Sequence, residues 1–476
     1  MKHAIWLLLI LCVLGCLRSV VPLPRALDVP APKTWEAGET APGVVTDSWW
    51  KTLGDPDLEA IIQEAVRNNR GLRAAAARLE TALIQAQIAH AGSLPTAGFS
   101  LNGNRRRQNF IGFPIPGSEN RVLSTTFNNL GASFDVNWEA DLWGRIRSAE
   151  TEAQVLAEVQ EAGLAAARLS IAAQTAKSWF ASAEAELQLQ LARETVESYE
   201  TSARWIRNRF EAGLRPALDL RLILSELSGA EALISERKEQ QARVVRQIEV
   251  LAGRYPSGRL RGSDLLPRLT TPVPAGLPPQ LLDRRPDLIA AQKRLLAAEY
   301  RVAQAQTELY PRLNLTATGG TSTKSLLDLL NGDFSVWSLL GNLTQPLFQG
   351  GRLRRQVETA ESVSQEHLEN YASAVLQAFA EVESALAAES ELNQQLDDLE
   401  ESASQAEAAL SLARDRYRQG LSDVLQVLIT QRRVFSSRSQ VLTLRRSLLD
   451  NRINLHLALG GGFNQTRGVQ PGTPNP

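Results

Sequence analysis

The sequence predicts a mixed fold in which very long α-helices and short amphipathic β-strands are laid down twice in tandem. Three observations carry this. Leu72, Arg78 and Pro95 recur as Leu288, Arg294 and Pro311 at an offset of 216, and Gly144-Arg145, Gly213-Leu214 and Gly253 recur as Gly351-Arg352, Gly420-Leu421 and Gly460 at an offset of 207. Aligned Pro and Gly punctuation at a steady offset marks duplicated supersecondary units. No Gly or Pro interrupts the 68 residues between Gly351 and Gly420, and at ~1.5 Å per residue they make a rod of ~100 Å. Four further segments alternate apolar and polar side chains with period two, as a strand with one apolar and one wet face does.

The chain opens on Lys2 and His3, an apolar run from Ala4 to Leu14, and Gly15-Cys16. A basic start, a short apolar core and a small residue before the cut describe an export signal over residues 1–15. The run is shorter than the ~20 residues a spanning helix needs. Val13-Leu14-Gly15-Cys16 resembles a bacterial lipobox, which makes Cys16 the expected lipidated first residue of the mature chain. The competing reading is an ordinary signal whose cysteines are apolar filler. Cys12 and Cys16 are the only cysteines, so the mature body has no disulfide and no thiolate metal site. Leu17 after the cysteine suits the outer membrane, by analogy with bacterial lipoproteins. After Leu14 no stretch of 18 apolar residues occurs, so any bilayer crossing falls to a β-barrel.

The organisation then reads as a tail over 16–54, a first repeat over 55–253, a linker over 254–279, a second repeat over 280–460 and a C-terminal tail over 461–476. Each repeat runs helix, strand, loop, strand, very long helix, turn, helix. The long helices span about 145–212 and 352–419, the shorter ones about 56–91 and 217–253. Leu410, Tyr417, Leu421, Val424, Leu425 and Leu428 flank the second turn at helical intervals, which supports antiparallel packing.

The strand segments are explicit. Ala97, Phe99 and Leu101 alternate with Gly98, Ser100 and Asn102. Ala132, Phe134, Val136, Trp138, Ala140 and Leu142 alternate with Ser133, Asp135, Asn137, Glu139 and Asp141, giving an acidic face at Asp135, Glu139 and Asp141. Leu313, Leu315 and Ala317 form an apolar series in the second repeat, as do Trp337, Leu339 and Leu343. A soluble sandwich suits any one of these strands alone. Strand pairs that interrupt ~100 Å rods in an exported chain fit lipid outside and water inside instead. Four strands cannot close a barrel, for which ~8 is the practical minimum, so the barrel is expected to be shared between chains. The loops at about 106–126 and 321–334 are expected on the extracellular side.

Composition excludes other classes. The formal net charge is −1, from 51 basic and 52 acidic residues, so no polybasic field points to nucleic acid. His3, His90, His367 and His456 share no ligand spacing and are expected as polar helix-surface residues, and no metal or organic cofactor is implied. No nucleophile elbow, metalloprotease motif or P-loop occurs, and no pair of catalytic groups stands out.

The segments 48–69, 138–147 (WEADLWGRIR), 281–295 (LLDRRPDLIAAQKRL), 309–315 (LYPRLNL), 347–361 (LFQGGRLRRQVETAE) and 457–463 (LALGGGF) resemble, in order, the TolC-like outer-membrane lipoproteins of tripartite efflux systems. The resemblance runs from about 42 to 463. It implies a long α-helical barrel, and a homotrimer in which four strands per chain build a shared twelve-stranded β-barrel. It also implies a periplasmic adaptor and an inner-membrane pump as partners, a location in the outer membrane of a Gram-negative bacterium, and an equatorial belt from 17–54, 254–283 and 461–476. The helix-turn-helix tips at 209–220 and 416–427, with Gly213, Asp219, Tyr417, Gly420 and Asp423, would form the periplasmic entrance. Asp219 matches a position where the family often carries a gate Asp; the second copy departs, with Gln426 and Ile429 where some members carry Asp. Asp219 and Asp423 are equally explained as helix N-terminal stabilisers, and Arg284-Arg285-Pro286-Asp287 as a proline-started helix with Asp in its first turn. An efflux duct for drugs or other small toxic compounds, a type I protein-secretion duct and an envelope coiled-coil scaffold remain in competition; the alternating strands oppose the scaffold, and RRPD and LFQGGR resemble the drug-efflux branch.

Overall fold

The computed structural model of the chain describes residues 29–30, 32–37, 48–110, 122–269, 273–276 and 278–461. The expected signal segment, Cys16, most of the tail to residue 54, residues 111–121 of the first loop and the tail beyond Gly461 lie outside the described residues. The elements are α1 Leu58–Asn68, α2 Arg70–Ala91, β1 Thr96–Phe110, β2 Leu123–Ala140, α3 Arg145–Glu211, α4 Ala217–Leu251, α5 Leu281–Arg284, α6 Pro286–Thr307, β3 Arg312–Thr323, β4 Ser335–Thr344, α7 Arg352–Arg418 and α8 Val424–Ala458. Helices α7 and α8 begin and end 207 residues after α3 and α4. Both α3 and α7 have 67 residues, a length of ~100 Å. The chain divides into two compact units. One holds Glu80–Glu158 and Gln292–Glu369; the second holds Val159–Ala291 with the described residues of 29–79 and 370–461.

In the second unit the opening helix of each repeat is broken, and the break is shaped by the chain itself. The sequence predicts one continuous helix over about 56–91; the structure interrupts it at Asn69 (φ −59, ψ 127). The Asn69 side-chain oxygen accepts from the Gly71 and Leu72 amides at 2.9 and 3.2 Å, capping α2, and its amide donates to the Leu251 carbonyl at 3.0 Å. In the second repeat the interruption falls at Arg285 (φ −75, ψ 118), held extended by the proline that follows it. Pro286 and Asp287 then start α6, the arrangement the RRPD segment suggests. A left-handed glycine packs on each break. A Cβ on Gly253 (φ 72) would lie 2.7 Å from the Asn68 carbonyl oxygen, and one on Gly460 (φ 68) 3.1 Å from the Arg284 backbone. Glycine is therefore fixed there both by conformation and by close approach.

Arg285 is buried and ties the second break together. It donates to Asp287 at 3.1 and 2.8 Å, to Glu381 at 2.7 Å and to the Ala458 carbonyl at 3.1 Å. Burial works to raise the Asp287 carboxyl, but the hydrogen bonds and charge of Arg285 hold it below the usual carboxylate range. In the first repeat Asp55 has a comparable role: it caps α1 through the Leu58 amide at 3.3 Å and receives the Trp179 indole and the Ser263 hydroxyl, each at 2.8 Å. Around it Trp49, Leu53, Leu58, Ile62, Phe180, Ile248 and Ile453 close an apolar core. Glu249 accepts from the Ser257 hydroxyl and the Gly258, Arg259 and Leu260 amides, pinning the segment after α4; burial opposes its charge, and these donors overcome that and lower its pKa.

His456 corrects a sequence expectation. It is not on a helix surface; it is 3% exposed and stacks on Trp49 at 5.5 Å and 21°. Its ring nitrogens meet no hydrogen-bond partner among the described residues. Burial, with Arg452 adding like charge, pushes its pKa down to about 3. His90, by contrast, is exposed and pairs with Glu150 at 2.8 Å.

A depressed histidine pKa means the unfolded chain takes the proton first. Stability should therefore fall as pH drops below ~6.5 and continue falling towards the folded value near 3. At pH 5 the loss attributable to this one group is about 2 kcal/mol. The thermal midpoint of wild type measured at pH 7 and pH 5 should drop more than that of His456→Phe. Equal drops would show that the ring does not titrate on unfolding.

Candidate functional site

The four strands form a sheet in the order β1-β2-β3-β4, antiparallel throughout and without a break in register. Pairing places Phe99 opposite Phe134, Trp138 opposite Leu315 and Ala317 opposite Leu339. One face therefore carries Phe99, Leu101, Phe134, Trp138, Trp337 and Leu339, and these are exposed, Trp337 to 83%. Large side chains left bare on one face of a sheet call for an apolar surrounding. Along β2 the apolar positions run from Leu130 to Ala140; at ~3.3 Å per residue and the usual tilt this is a band of ~25 Å, the height of a membrane-barrel belt. At its helix-connected end the Trp138 indole donates to the Ser93 carbonyl at 3.0 Å. There too the Trp143 indole donates to the Pro311 carbonyl at 2.7 Å, its ring stacked on Tyr310 at 5.2 Å. Aromatic rings with one polar end belong at such a boundary.

The opposite face is a hydroxyl ladder. The Ser100 and Ser133 hydroxyls meet at 2.8 Å, Thr316 donates to Asn137 at 3.0 Å, and Ser322 donates to Asn129 at 2.8 Å. Asp135 sits in this face and accepts from Ser100, Ser133 and Thr318 at 3.2, 3.3 and 3.0 Å. Glu139 shares the face but is held by Arg145 at 3.1 and 2.9 Å. Asp141 departs from its expected place. The strand ends at Ala140, so neither Asp141 nor Leu142 is part of it, and the Asp141 carboxylate caps α3 through the Ile146 and Arg147 amides at 3.1 and 2.9 Å. Helix α3 has no carboxylate of its own in its first turn, and an anion at a helix start is favourable. The strands are also longer than expected: β1 reaches Phe110 and β2 starts at Leu123, so the loop is shorter than 106–126.

At the far ends of α3 and α7 the two tips share one backbone. The Leu214 amide bonds to the Arg209 carbonyl at 2.9 Å, and 207 residues later the Leu421 amide bonds to the Arg416 carbonyl at 2.9 Å. Gly213 (φ 72) and Gly420 (φ 77) take the left-handed conformation that this helix ending requires. The next helices start differently. Asp423 caps α8 by accepting from the Gln426 amide at 3.1 Å, whereas Pro216 precedes α4 and Asp219, 8% exposed, supplies the acid of its first turn. Leu410, Tyr417, Val424 and Leu428 are buried together as their spacing implies, but Leu421 and Leu425 are exposed.

Tyr417 is the centre of the tip. It is 4% exposed, with the Arg209 and Arg215 guanidiniums over its ring at 5.2 and 5.0 Å. Arg209 also donates to the Tyr417 and Arg418 carbonyls at 2.9 and 2.7 Å, and Arg215 to the Ser422 carbonyl at 3.3 Å. Burial raises the Tyr417 hydroxyl above its ordinary value; Asp219 adds to this, while Arg215 and Arg209 oppose it. The Arg418 guanidinium lies over the Trp205 ring at 4.4 Å. The roles of Arg209, Arg215 and Arg418 have no signature in sequence, since a tip arginine reads equally as solvated surface.

Comparison with known proteins agrees with this geometry. The chain is 30% identical over 481 residues to the toluene efflux pump outer membrane protein TtgF of Pseudomonas putida, covering 97% of both chains. It is 29% identical over 464 residues to the cation efflux system protein CusC of Escherichia coli, covering 96% of this chain and 97% of that one. The outer-membrane channel OprN superposes with a TM-score of 0.84 at 25% identity, over 93% of this chain and 99% of that one. The sequence profile described as Outer membrane efflux protein matches residues 61–254 and 277–461. These two segments contain nearly all of both repeats, the sheet and both tips, and the chain belongs to the outer membrane efflux protein family, a TolC-like group.

Proposed function

We propose that three copies of this chain close a single twelve-stranded barrel and serve as the passive exit duct of a tripartite efflux system. The partners are a periplasmic adaptor and an inner-membrane pump. The observation that carries the reading is the sheet: four strands with one bare apolar face, and outer edges on β1 and β4 that no other strand among the described residues pairs. Unpaired backbone in lipid costs several kcal/mol per group, and further copies of the same edges remove that cost. Three-fold repetition also surrounds the hydroxyl ladder and Asp135 with water. The chain conducts and performs no chemistry. Relatives of nearly equal identity are named for toluene and for cations, which supports a duct whose cargo of drugs or other small toxic compounds is chosen by the pump. Both names are of efflux systems, which favours efflux over protein secretion. A lipid on Cys16 adds an anchor, since each buried CH₂ contributes ~0.8 kcal/mol.

Native mass spectrometry of the protein in detergent should show trimers; a dominant monomer would refute the shared barrel. The same spectra should place the mature N-terminus at acylated Cys16. Cys16→Ser should lose the lipid yet still form channels, because the sheet carries its own apolar face.

The tips would set the charge of the entrance. Repetition by three-fold symmetry makes Asp219 and Asp423 rings of carboxylates, which favour cations. Asn at either position preserves a side-chain oxygen for the helix start, so Asp219→Asn with Asp423→Asn should spare assembly. The double variant should shift the reversal potential under a salt gradient towards weaker cation selectivity. Wild-type selectivity in that variant would move the assignment to Asp135 and Glu139.

A further inference from the structure

The β1–β2 hairpin outreaches the rest of the sheet, and its outward face changes character along its length. β3 pairs with β2 only as far as Leu130 opposite Thr323, whereas β1 and β2 stay paired from that row up to Phe110 opposite Leu123. On the face that carries Phe99 and Leu101, the next rows are Gly103 opposite Leu130, Arg105 opposite Asn128, and Arg107 opposite Thr126. Leu130 is thus the last apolar side chain of the belt, and Arg105 stands one row beyond it. Arg107 stands a row further, its Nε donating to the Ser124 hydroxyl at 3.0 Å. Both arginines are exposed. Neither strand of the hairpin contains an Asp or Glu above Ser133, and no ion pair to Arg105, Arg106 or Arg107 occurs among the described residues. Arg106 points to the opposite, water-side face, across from Phe127.

We propose that Arg105 and Arg107 form a binding site for the phosphate groups of outer-leaflet glycolipid. One row of a strand pair is two residues, ~6.6 Å, and a tilted strand climbs ~5 Å per row. Arg105 and Arg107 therefore sit within ~10 Å above the apolar belt, at the depth of lipid headgroups rather than of the hydrocarbon. The helix-connected end of the belt carries Trp138, Trp143 and Tyr310 instead, so the basic pair marks the leaflet remote from the helices. Guanidinium matches phosphate in charge and in its paired oxygens, and contributes most where water is partly excluded. Basic side chains at the edge of a membrane belt recruit anionic headgroups in the same way. Two arginines on one strand, i and i+2, lie ~6.6 Å apart, within the span of a glycolipid bearing two phosphates. The proposal rests on the apolar face being turned to lipid.

The test is lipid retention by the assembled protein, purified into nanodiscs containing phosphatidylethanolamine and a bisphosphorylated glycolipid, and read by native mass spectrometry. Wild type should keep the bisphosphorylated glycolipid and lose a dephosphorylated form of it. The Arg105→Gln, Arg107→Gln double variant should retain at least tenfold less, whereas Arg105→Lys with Arg107→Lys should keep part of it, and Arg106→Gln on the water-side face should match wild type. Three results would overturn the site: equal retention by wild type and the glutamine double variant, an equal loss in Arg106→Gln, or displacement of the glycolipid by millimolar inorganic phosphate. Failure to insert into the nanodisc at all would instead count against the lipid-facing sheet, so the two readings fail separately.

Discussion

The backbone edges of a four-stranded sheet constrain nearly everything else in this molecule. Among the described residues β1 and β4 each pair on one side only, and an unpaired edge is tolerable in water but not in lipid. The face chemistry follows from the same requirement. Phe99, Phe134, Trp138 and Leu339 are kept on one side by an unbroken two-residue register, because a slip by a single residue would turn every one of them into the hydroxyl ladder. Asp135 depends on that register as well, since its three hydroxyl donors come from β1, from β2 itself and from β3.

Duplication explains how two repeats can share a backbone and differ in chemistry. The tip glycines, the lengths of α3 and α7, and the left-handed glycines on the helix breaks are the same at both places. Backbone conformation leaves few residue choices at such positions. Side chains that only have to satisfy a helix end have several solutions. Asn69 does so in one repeat and Arg285 with Pro286 in the other; Asp219 stands in a first turn where Asp423 stands at a cap.

The features legible in the sequence are those set by periodicity or by punctuation. The rods, the alternation of all four strands and the tip turns can be read because each depends on the chain near it. The break at Asn69 is not legible, because an Asn among helix-favouring residues reveals its role only against Leu251, which is 182 residues away. His456 reads as a surface residue for the same reason: the Trp49 ring that covers it comes from the other end of the chain. Alternation alone puts Asp141 one residue too far into the strand, since the strict pattern continues past the point where helix α3 claims its carboxylate. Arg285 carries half of its role in the sequence. RRPD announces a helix start, but only the fold brings Glu381 and the Ala458 carbonyl to the same guanidinium.

The tip arginines show why formal charge alone describes the two tips poorly. Arg209, Arg215 and Arg418 outnumber Asp219 and Asp423 there, yet their guanidiniums are already engaged with carbonyls and ring faces. Arg209 belongs to α3 and its acceptors to the end of α7, so these bonds tie the first repeat to the second. Hydrogen bonds from a charged donor contribute about 1.5–3 kcal/mol each, and Arg209 makes two. Separating the two tips would break these bonds and withdraw two cations from the Tyr417 ring. Tyr417 joins the tips through its ring, which carries the Arg209 and Arg215 guanidiniums, and through its carbonyl, which accepts from Arg209. At the tips, then, the arginine charges serve chiefly to join the two repeats through carbonyls and a ring face.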